Sequence, residues 1–200
     1  MLTSADLAHA VERMHARIDS LRDELNAADR LLGDGDTGMT IAQVVKAWGV
    51  ACADLPADVG EAFVLLGRET GRATGSSLGA VLATGLSAAG RSVRGTEAVD
   101  SAGIALMLSA AAQKITERSG ATAGAKSFLD SLLRVEQDLR NAGTDGSYGL
   151  ADAVASTAGA LSEFRERESK LGRARMYGEK SRGHDDPGML AAYLLLNAAR

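Results

Sequence analysis

Apolar residues recur along the first part of the chain at alternating spacings of four and three. This stripe consists of Leu7, Val11, Met14, Ile18, Leu21, Leu25 and Ala28. Residues spaced in this way share one face of an α-helix. The pattern therefore predicts a helix over about 4–28 that packs one face against the rest of the protein.

Seven further helical patterns follow, separated by short breaks rich in glycine or polar residues. They begin near Met39, Val59, Leu78, Thr96 or Asp100, Ser127, Leu150 and Pro187. Short connections make consecutive helices antiparallel neighbours, and no alternation of strands and helices indicates a parallel sheet. The chain is therefore predicted to be all-α, an antiparallel up-and-down bundle of eight helices in a single domain, 1–200. A turn is predicted at 143–148, with Asp145-Gly146 as its strongest signal.

The composition excludes several classes of protein. The formal net charge is -4 and no basic stripe with interleaved aromatic residues occurs, which argues against nucleic-acid binding. The single cysteine, Cys52, excludes an internal disulfide and is typical of a reducing compartment, so we expect a cytoplasmic protein. We expect no membrane span and no signal peptide, because the chain lacks a run of about 18 uncharged apolar residues and a basic, then apolar, leader.

Three aspartates at the end of the first helix form the main candidate site. Asp29 ends the helix, and Asp34 and Asp36 lie in a tight loop that Gly35 allows to curl. Carboxylates held close together repel one another unless a cation joins them, and Mg²⁺ prefers such oxygen ligands together with substrate phosphates. The helix predicted from Met39 would present N–H groups to phosphate. The alternative is that the loop aspartates only form a turn and cap a helix.

Three other segments are candidates to line the same site. Residues 71–79 combine glycines with hydroxyls, which suits either phosphate contacts or close helix packing, and both alternatives stay open. Residues 120–127 nearly match a P-loop, but an alanine intervenes before Lys126 and a helix precedes the segment, so we reject that motif. In residues 183–188, Asp186 is suited to cap the last helix.

Taken together, these motifs resemble a known family. In chain order they are Asp29-x4-Asp34-x-Asp36 with its glycines, Thr74-Gly75, Gly124-x-Lys126-Ser127, and Tyr177-Gly178-Glu179-Lys180-Ser181-x-Gly183-His184-x-Asp186-Pro187-Gly188. The chain resembles the nucleotide-binding L subunit of dihydroxyacetone kinase over nearly its whole length.

The resemblance implies a barrel of eight antiparallel helices with ADP or ATP at one end. It implies two Mg²⁺ ions, held by Asp29, Asp34 and Asp36. It implies phosphate contacts from Thr37, Gly38, Met39, Thr40, Thr74 and Gly75. It places the base and ribose near Gly120, Phe128, Arg173, Asp186, Pro187 and Gly188. No residue of the chain is expected to act as a nucleophile or catalytic base, and a separate K subunit would hold the ketose covalently.

Three positions depart from the family pattern. Thr37 stands where histidine is usual, Ala125 where aspartate is common, and Phe128 where methionine is usual. The Asp-Gly-Asp-Thr-Gly variant also resembles the nucleotide domain of fatty acid kinase, which is longer and lacks the Gly-His-x-Asp-Pro-Gly ending. The departures leave the ketose open between dihydroxyacetone and a tetrulose such as erythrulose.

The resemblance also leaves the phosphoryl source and the assembly open. Either ATP is exchanged in each cycle, or a phosphotransferase-system protein rephosphorylates ADP that stays bound. A homodimer is compatible with the family. A different class of function, a non-enzymatic nucleotide-sensing partner of a transcriptional regulator, would use the same aspartates.

Overall fold

The computed structural model describes residues 1–143 and 147–200, and almost all of the regular structure in them is α-helical. The α-helices are α1 (Ser4–Ala16), α2 (Ile18–Leu32), α3 (Thr37–Ala51), α4 (Val59–Ala73), α5 (Ser77–Ser92), α6 (Ser101–Ser119), α7 (Phe128–Ala142), α8 (Leu150–Phe164) and α9 (Pro187–Ala199). Short 3₁₀ helices lie at Cys52–Asp54 and Ala174–Ser181. Strands β1 (Leu2–Thr3) and β2 (Ala98–Val99) pair antiparallel, with Leu2 opposite Val99. The turn predicted at Asp145-Gly146 lies outside the described residues.

The predicted all-α, up-and-down fold is confirmed, with one difference in the first helix. From α2 onwards each helix packs against the next, and α9 packs against α1 and α2, which closes the ring. The apolar stripe predicted one helix over 4–28, but the backbone breaks at Arg17, where φ is -107° and ψ is 8°. The described residues therefore contain nine α-helices where eight were predicted. The stripe continues across the break, so periodicity alone does not show it.

The last helix, α9, is buried over most of its surface. Its sequence is apolar on almost every side, which is typical of a buried helix. It packs against α1, α2, α3, α7 and α8. Met189 of α9 is fully buried, and Leu25, Ile41 and Val44 in the same core cluster are fully buried too. Because α9 is apolar and buried, the polar residues considered below lie near its first turn.

Alternation of helix direction decides which backbone groups meet at each end. Because consecutive helices from α2 onwards are antiparallel, α3, α5, α7 and α9 begin at the same end of the barrel, where α2, α4, α6 and α8 finish. That end therefore combines four helix N-termini with the last turns of four other helices. In the described part of the chain, no helix has the length and apolar character required to cross a membrane.

Candidate functional site

A cavity of about 890 Å³ opens at the end where the four helices begin. The first turns of α3, α5, α7 and α9 line it through Thr37, Ser77, Phe128 and Pro187. Helix N-termini carry N–H groups without intrahelical partners and a partial positive charge. Four of them directed at one cavity favour an anionic ligand there.

The three aspartates meet on one wall of this cavity. One carboxylate oxygen from each of Asp29, Asp34 and Asp36 lies within 4.8 Å of the others. Asp29 is buried in the last turn of α2, whereas the other two are exposed on the loop. Gly35 has a φ of +79°, a left-handed conformation that glycine adopts without strain. A Cβ atom at Gly33 would lie 2.1 Å from Asp29 Oδ1, so only glycine leaves room for that carboxylate.

Hydrogen bonds to the backbone fix the loop against α2. Asp29 Oδ2 accepts from the N–H groups of Asp36 at 2.9 Å and Thr37 at 3.1 Å. Asn26 Oδ1 accepts from the N–H of Gly38 at 2.8 Å. Asp36 occupies the N-cap position of α3, but its side chain makes no capping bond. The capping alternative for Asp36 is therefore not supported, because Asp29 and Asn26 satisfy those amides and the Asp36 carboxylate stays available for a ligand.

The donor set fits a hard divalent cation. All three side chains offer oxygen, and their mutual repulsion is relieved when a cation lies between them. Arg173 already contributes one positive charge, because its guanidinium forms an ion pair with Asp34. The family resemblance implied a place for Arg173 near the base and ribose, and in the structure its charged group contacts the aspartate cluster.

The start of α3 offers fewer amides to a phosphate than the sequence suggested. The N–H groups of Thr37 and Gly38 are already engaged by Asp29 and Asn26. The Met39 N–H has no hydrogen-bond acceptor in the described parts of the chain. Thr37, Met39 and Thr40 line the cavity, but Gly38 does not. A Cβ at Gly38 would lie 2.0 Å from the carbonyl oxygen of Arg22, so this glycine lets α3 approach α2.

The opposite wall is the loop before α5. Ser76 caps α5 by accepting from the Gly79 N–H at 3.0 Å, and Thr74 Oγ1 accepts from the Ser76 N–H at 3.2 Å. A Cβ at Gly75 would meet nothing within 4 Å. Gly75 therefore borders open space in the cavity, which favours ligand approach over helix packing. Close helix contact occurs instead where a Cβ at Gly60 would lie 2.6 Å from a carbonyl oxygen of α5.

A third region of the cavity is mostly apolar. Phe128, Ile115, Ala121 and Leu171 line it, so it suits the flat face of a nucleotide base or another apolar group. Gly120 lies between two lining residues at the end of α6 but does not line the cavity itself.

The turn that begins α9 forms the edge of this apolar region. Asp186, Pro187 and Gly188 all line the cavity. Asp186 caps α9 by accepting from the Met189 N–H at 2.9 Å. Burial raises the pKa of Asp186 to about 6.

Lys126 has a role that the sequence motif did not indicate. Its side chain is 1% exposed and its backbone has a φ of +59°. Its Nζ atom donates to the carbonyl oxygens of Arg165 at 3.0 Å, Arg167 at 2.8 Å and Ser181 at 2.8 Å. Burial lowers the pKa of Lys126. Lys126 therefore anchors residues 165–183, the Arg173 segment, and its amine is directed away from a phosphate role.

Several polar residues of the cavity were missed by sequence reasoning. They are Gln43, Thr84, Arg118 and Ser119. Ser77, Ala80, Val81 and Thr84 follow the spacing of one helix face and all line the cavity, so a search for polar residues on otherwise apolar faces would have found part of this set. Arg118 offered no such signal, because cations near helix ends are common.

The fold and the site together define a helical barrel with an anion-attracting end beside a carboxylate cluster. Within that class, the chain belongs to the DAK2 domain family, whose model matches residues 31–200. The resemblance predicted from the sequence motifs is thereby confirmed.

Curated relatives include both free-standing subunits and longer enzymes. The chain is 27% identical to the ADP-binding subunit DhaL of PEP-dependent dihydroxyacetone kinase 1 from Listeria innocua, covering 91% of this chain and 88% of that protein. It is 28% identical to human triokinase/FMN cyclase, covering 98% of this chain. It is 27% identical to L-erythrulose 1-kinase of Mycolicibacterium smegmatis, covering 88% of this chain. The chain spans only 34% of the human enzyme and 31% of the erythrulose kinase.

Solved structures agree with the fold. The native dihydroxyacetone kinase of C. freundii matches with a TM-score of 0.76 at 21% identity, over 99% of this chain and 34% of that one. The complex of the same enzyme with AMP-PNP and Mg²⁺ matches with a TM-score of 0.72 at 23% identity, over 96% of this chain and 32% of that one. These matches establish the helical-barrel architecture.

Proposed function

We propose that this chain is the nucleotide-binding subunit of a small-ketose kinase, folded as one domain. It holds ADP or ATP with Mg²⁺ and transfers a phosphoryl group to a ketose held by a separate K subunit. The observation that carries the proposal is the meeting of three carboxylates and four helix N-termini in one cavity. A metal–phosphate complex satisfies both, because its cation needs the carboxylates and its anion needs the amides.

Each wall of the cavity has its own role in this proposal. Asp29, Asp34 and Asp36 hold two Mg²⁺ ions, which neutralise charge on the β- and γ-phosphates when bound. Thr37, Met39, Thr40, Thr74 and Gly75 orient the phosphates, with the Met39 N–H and the threonine hydroxyls as donors. The apolar region holds the base. The chain itself supplies position and charge, which are the main requirements of phosphoryl transfer.

A separate ketose-binding subunit is part of the proposal because a similar chain is named as the ADP-binding subunit of its kinase. A second cavity, about 170 Å³, is lined by Leu2, Phe63, Leu82 and further apolar residues. A ketose needs hydrogen-bond partners for its hydroxyls, and such a wall provides none. Dihydroxyacetone kinase, triokinase and erythrulose kinase among the relatives support a ketose of three or four carbons.

Calorimetric titration of ADP and ATP into nucleotide-free protein, first with Mg²⁺ and then with EDTA, tests the site. We expect Mg²⁺-dependent binding that Asp36→Ala abolishes. Asp54→Ala removes an exposed aspartate outside the cavity and is the matched control; it should bind as wild type does. Nucleotide-free wild-type protein that binds neither nucleotide would refute the proposal. ADP that survives purification would favour rephosphorylation in place over exchange of ATP.

A further inference from the structure

Arg173 is the cation that contacts the aspartate cluster in the described residues. Its Nη1 atom pairs with Asp34 Oδ2 across the mouth of the cavity. Both side chains remain partly open to solvent, with relative exposures of 60% for Arg173 and 43% for Asp34. Arg118 also lines the cavity, but no salt bridge joins it to any described residue.

The backbone that carries Arg173 is held in place independently of the ion pair. Lys126 donates to three carbonyl oxygens of the Arg173 segment, two near its start and one near its end. The Gly183 N–H also donates to the Arg165 carbonyl at 2.9 Å, which closes the base of the segment. An anchored backbone therefore holds Arg173 close to Asp34, while the exposed Arg173 side chain is able to change partner.

The pairing creates a competition for Asp34. A guanidinium keeps its charge at any pH a protein experiences, so it partly neutralises the cluster without a metal. A divalent cation bound by the three carboxylates would need the same Asp34 carboxylate and would repel the guanidinium. Metal and Arg173 are thus alternative partners of one side chain.

We propose that Arg173 is an internal counterion of the metal site, paired with Asp34 in the metal-free chain and displaced when Mg²⁺ enters with a nucleotide. The inference rests on the proposed function. Once displaced, the guanidinium donates to an oxygen of the nucleotide phosphates, which gives it a new anionic partner. Mg²⁺ that binds without a nucleotide must break the Arg173–Asp34 ion pair, and the guanidinium then gains no phosphate partner. Metal and nucleotide should therefore bind with positive coupling, to which Arg173 contributes.

Two titrations with opposite expected signs test this inference. The first follows free Mn²⁺, the probe for the divalent site, by electron paramagnetic resonance in nucleotide-free protein. Arg173→Gln should tighten Mn²⁺ binding by about two- to fivefold, the range expected for losing a competing exposed ion pair. The second measures ADP binding at saturating Mg²⁺ by calorimetry. There the same variant should weaken binding by about tenfold or more, because a charge-assisted hydrogen bond to phosphate is lost.

Arg175→Gln is the matched control. Arg175 lies two residues further along, in the first turn of the 3₁₀ helix that Arg173 precedes, is exposed, and has no salt bridge among the described residues. It makes the same change of net charge, so it should alter both affinities by less than twofold. If Arg173→Gln binds Mn²⁺ with the same affinity as Arg175→Gln, or more weakly than wild type, the counterion role is overturned. Nucleotide binding by the wild-type protein would in that case still uphold the proposed function. Wild-type protein that binds neither Mn²⁺ nor nucleotide would overturn both.

Discussion

Replacement of Lys126 by methionine removes the amine that anchors the Arg173 segment. Methionine is unbranched and of similar length, so the main change is the loss of the charge and its three hydrogen bonds. The left-handed backbone at position 126 is retained in both proteins. The substitution therefore isolates the contribution of the buried amine.

The size of the effect follows from the contacts of Nζ. Hydrogen bonds to a charged group contribute about 1.5–3 kcal/mol each, and Lys126 makes three of them. The variant also escapes the cost of burying a charge, which offsets part of that loss. The carbonyl oxygens of Arg167 and Ser181 lose this donor, whereas that of Arg165 keeps the Gly183 N–H. We expect a net loss of about 3–5 kcal/mol in the free energy of unfolding. For a chain of 200 residues, this lowers Tm by about 6–20 °C.

Thermal and urea unfolding followed by circular dichroism measure this loss. Lys170→Met is the control, because it removes an exposed lysine from the same segment. Nucleotide affinity provides a second measurement, since a loosened segment no longer delivers Arg173 to the cavity. If Lys126→Met melts within about 2 °C of Lys170→Met, the carbonyl contacts do not stabilise the fold and the anchoring argument is wrong.

Four further substitutions test single features of the site. Gly38→Ala should cost about 1–3 kcal/mol or more in unfolding free energy, because its Cβ would overlap the Arg22 carbonyl. Gly75→Ala should unfold like wild type but bind nucleotide more weakly, since its Cβ projects into open cavity space. Phe128→Ala should weaken nucleotide binding by about tenfold through lost contact with the base. Asp186 has a pKa of about 6, above the ordinary 3.8. Its contribution to the free energy of unfolding is therefore present below pH 4 and is lost as pH rises through 6. Between pH 4 and pH 7, the free energy of unfolding of Asp186→Asn should rise by up to about 3 kcal/mol relative to that of wild type.

The four substitutions are measured in the same way, and a different result would contradict each prediction. Unfolding curves and calorimetric nucleotide titrations cover all of them. A Gly38→Ala variant as stable as wild type would contradict the close approach of α3 to α2. A Gly75→Ala variant that binds nucleotide as tightly as wild type would show that its loop is not part of the site. Nucleotide affinity unchanged in Phe128→Ala would move the base elsewhere in the cavity. A stability difference between Asp186→Asn and wild type that stays constant from pH 4 to pH 7 would refute the raised pKa.

Local spacing along the sequence was sufficient for the helices, except for the break at Arg17, and for the aspartate cluster. The alternation of apolar residues is a property of one helix face, so it predicts each helix without knowledge of its neighbours. Asp29, Asp34 and Asp36 lie within eight positions of chain, and a helix end followed by Gly35 brings them together. Their proximity needed no long-range contact. The family motifs likewise depend on short runs of sequence.

Only the tertiary structure decided which groups the remaining residues contact. The carbonyl partners of Lys126 lie 39, 41 and 55 positions away, so its burial is set by packing and not by local pattern. The Arg173–Asp34 ion pair joins two separate loops. The Thr37 and Gly38 amides, predicted for phosphate, are engaged by α2. A polar side chain on a helix has many possible partners, and the relative placement of the helices selects among them because buried polar groups must find hydrogen bonds.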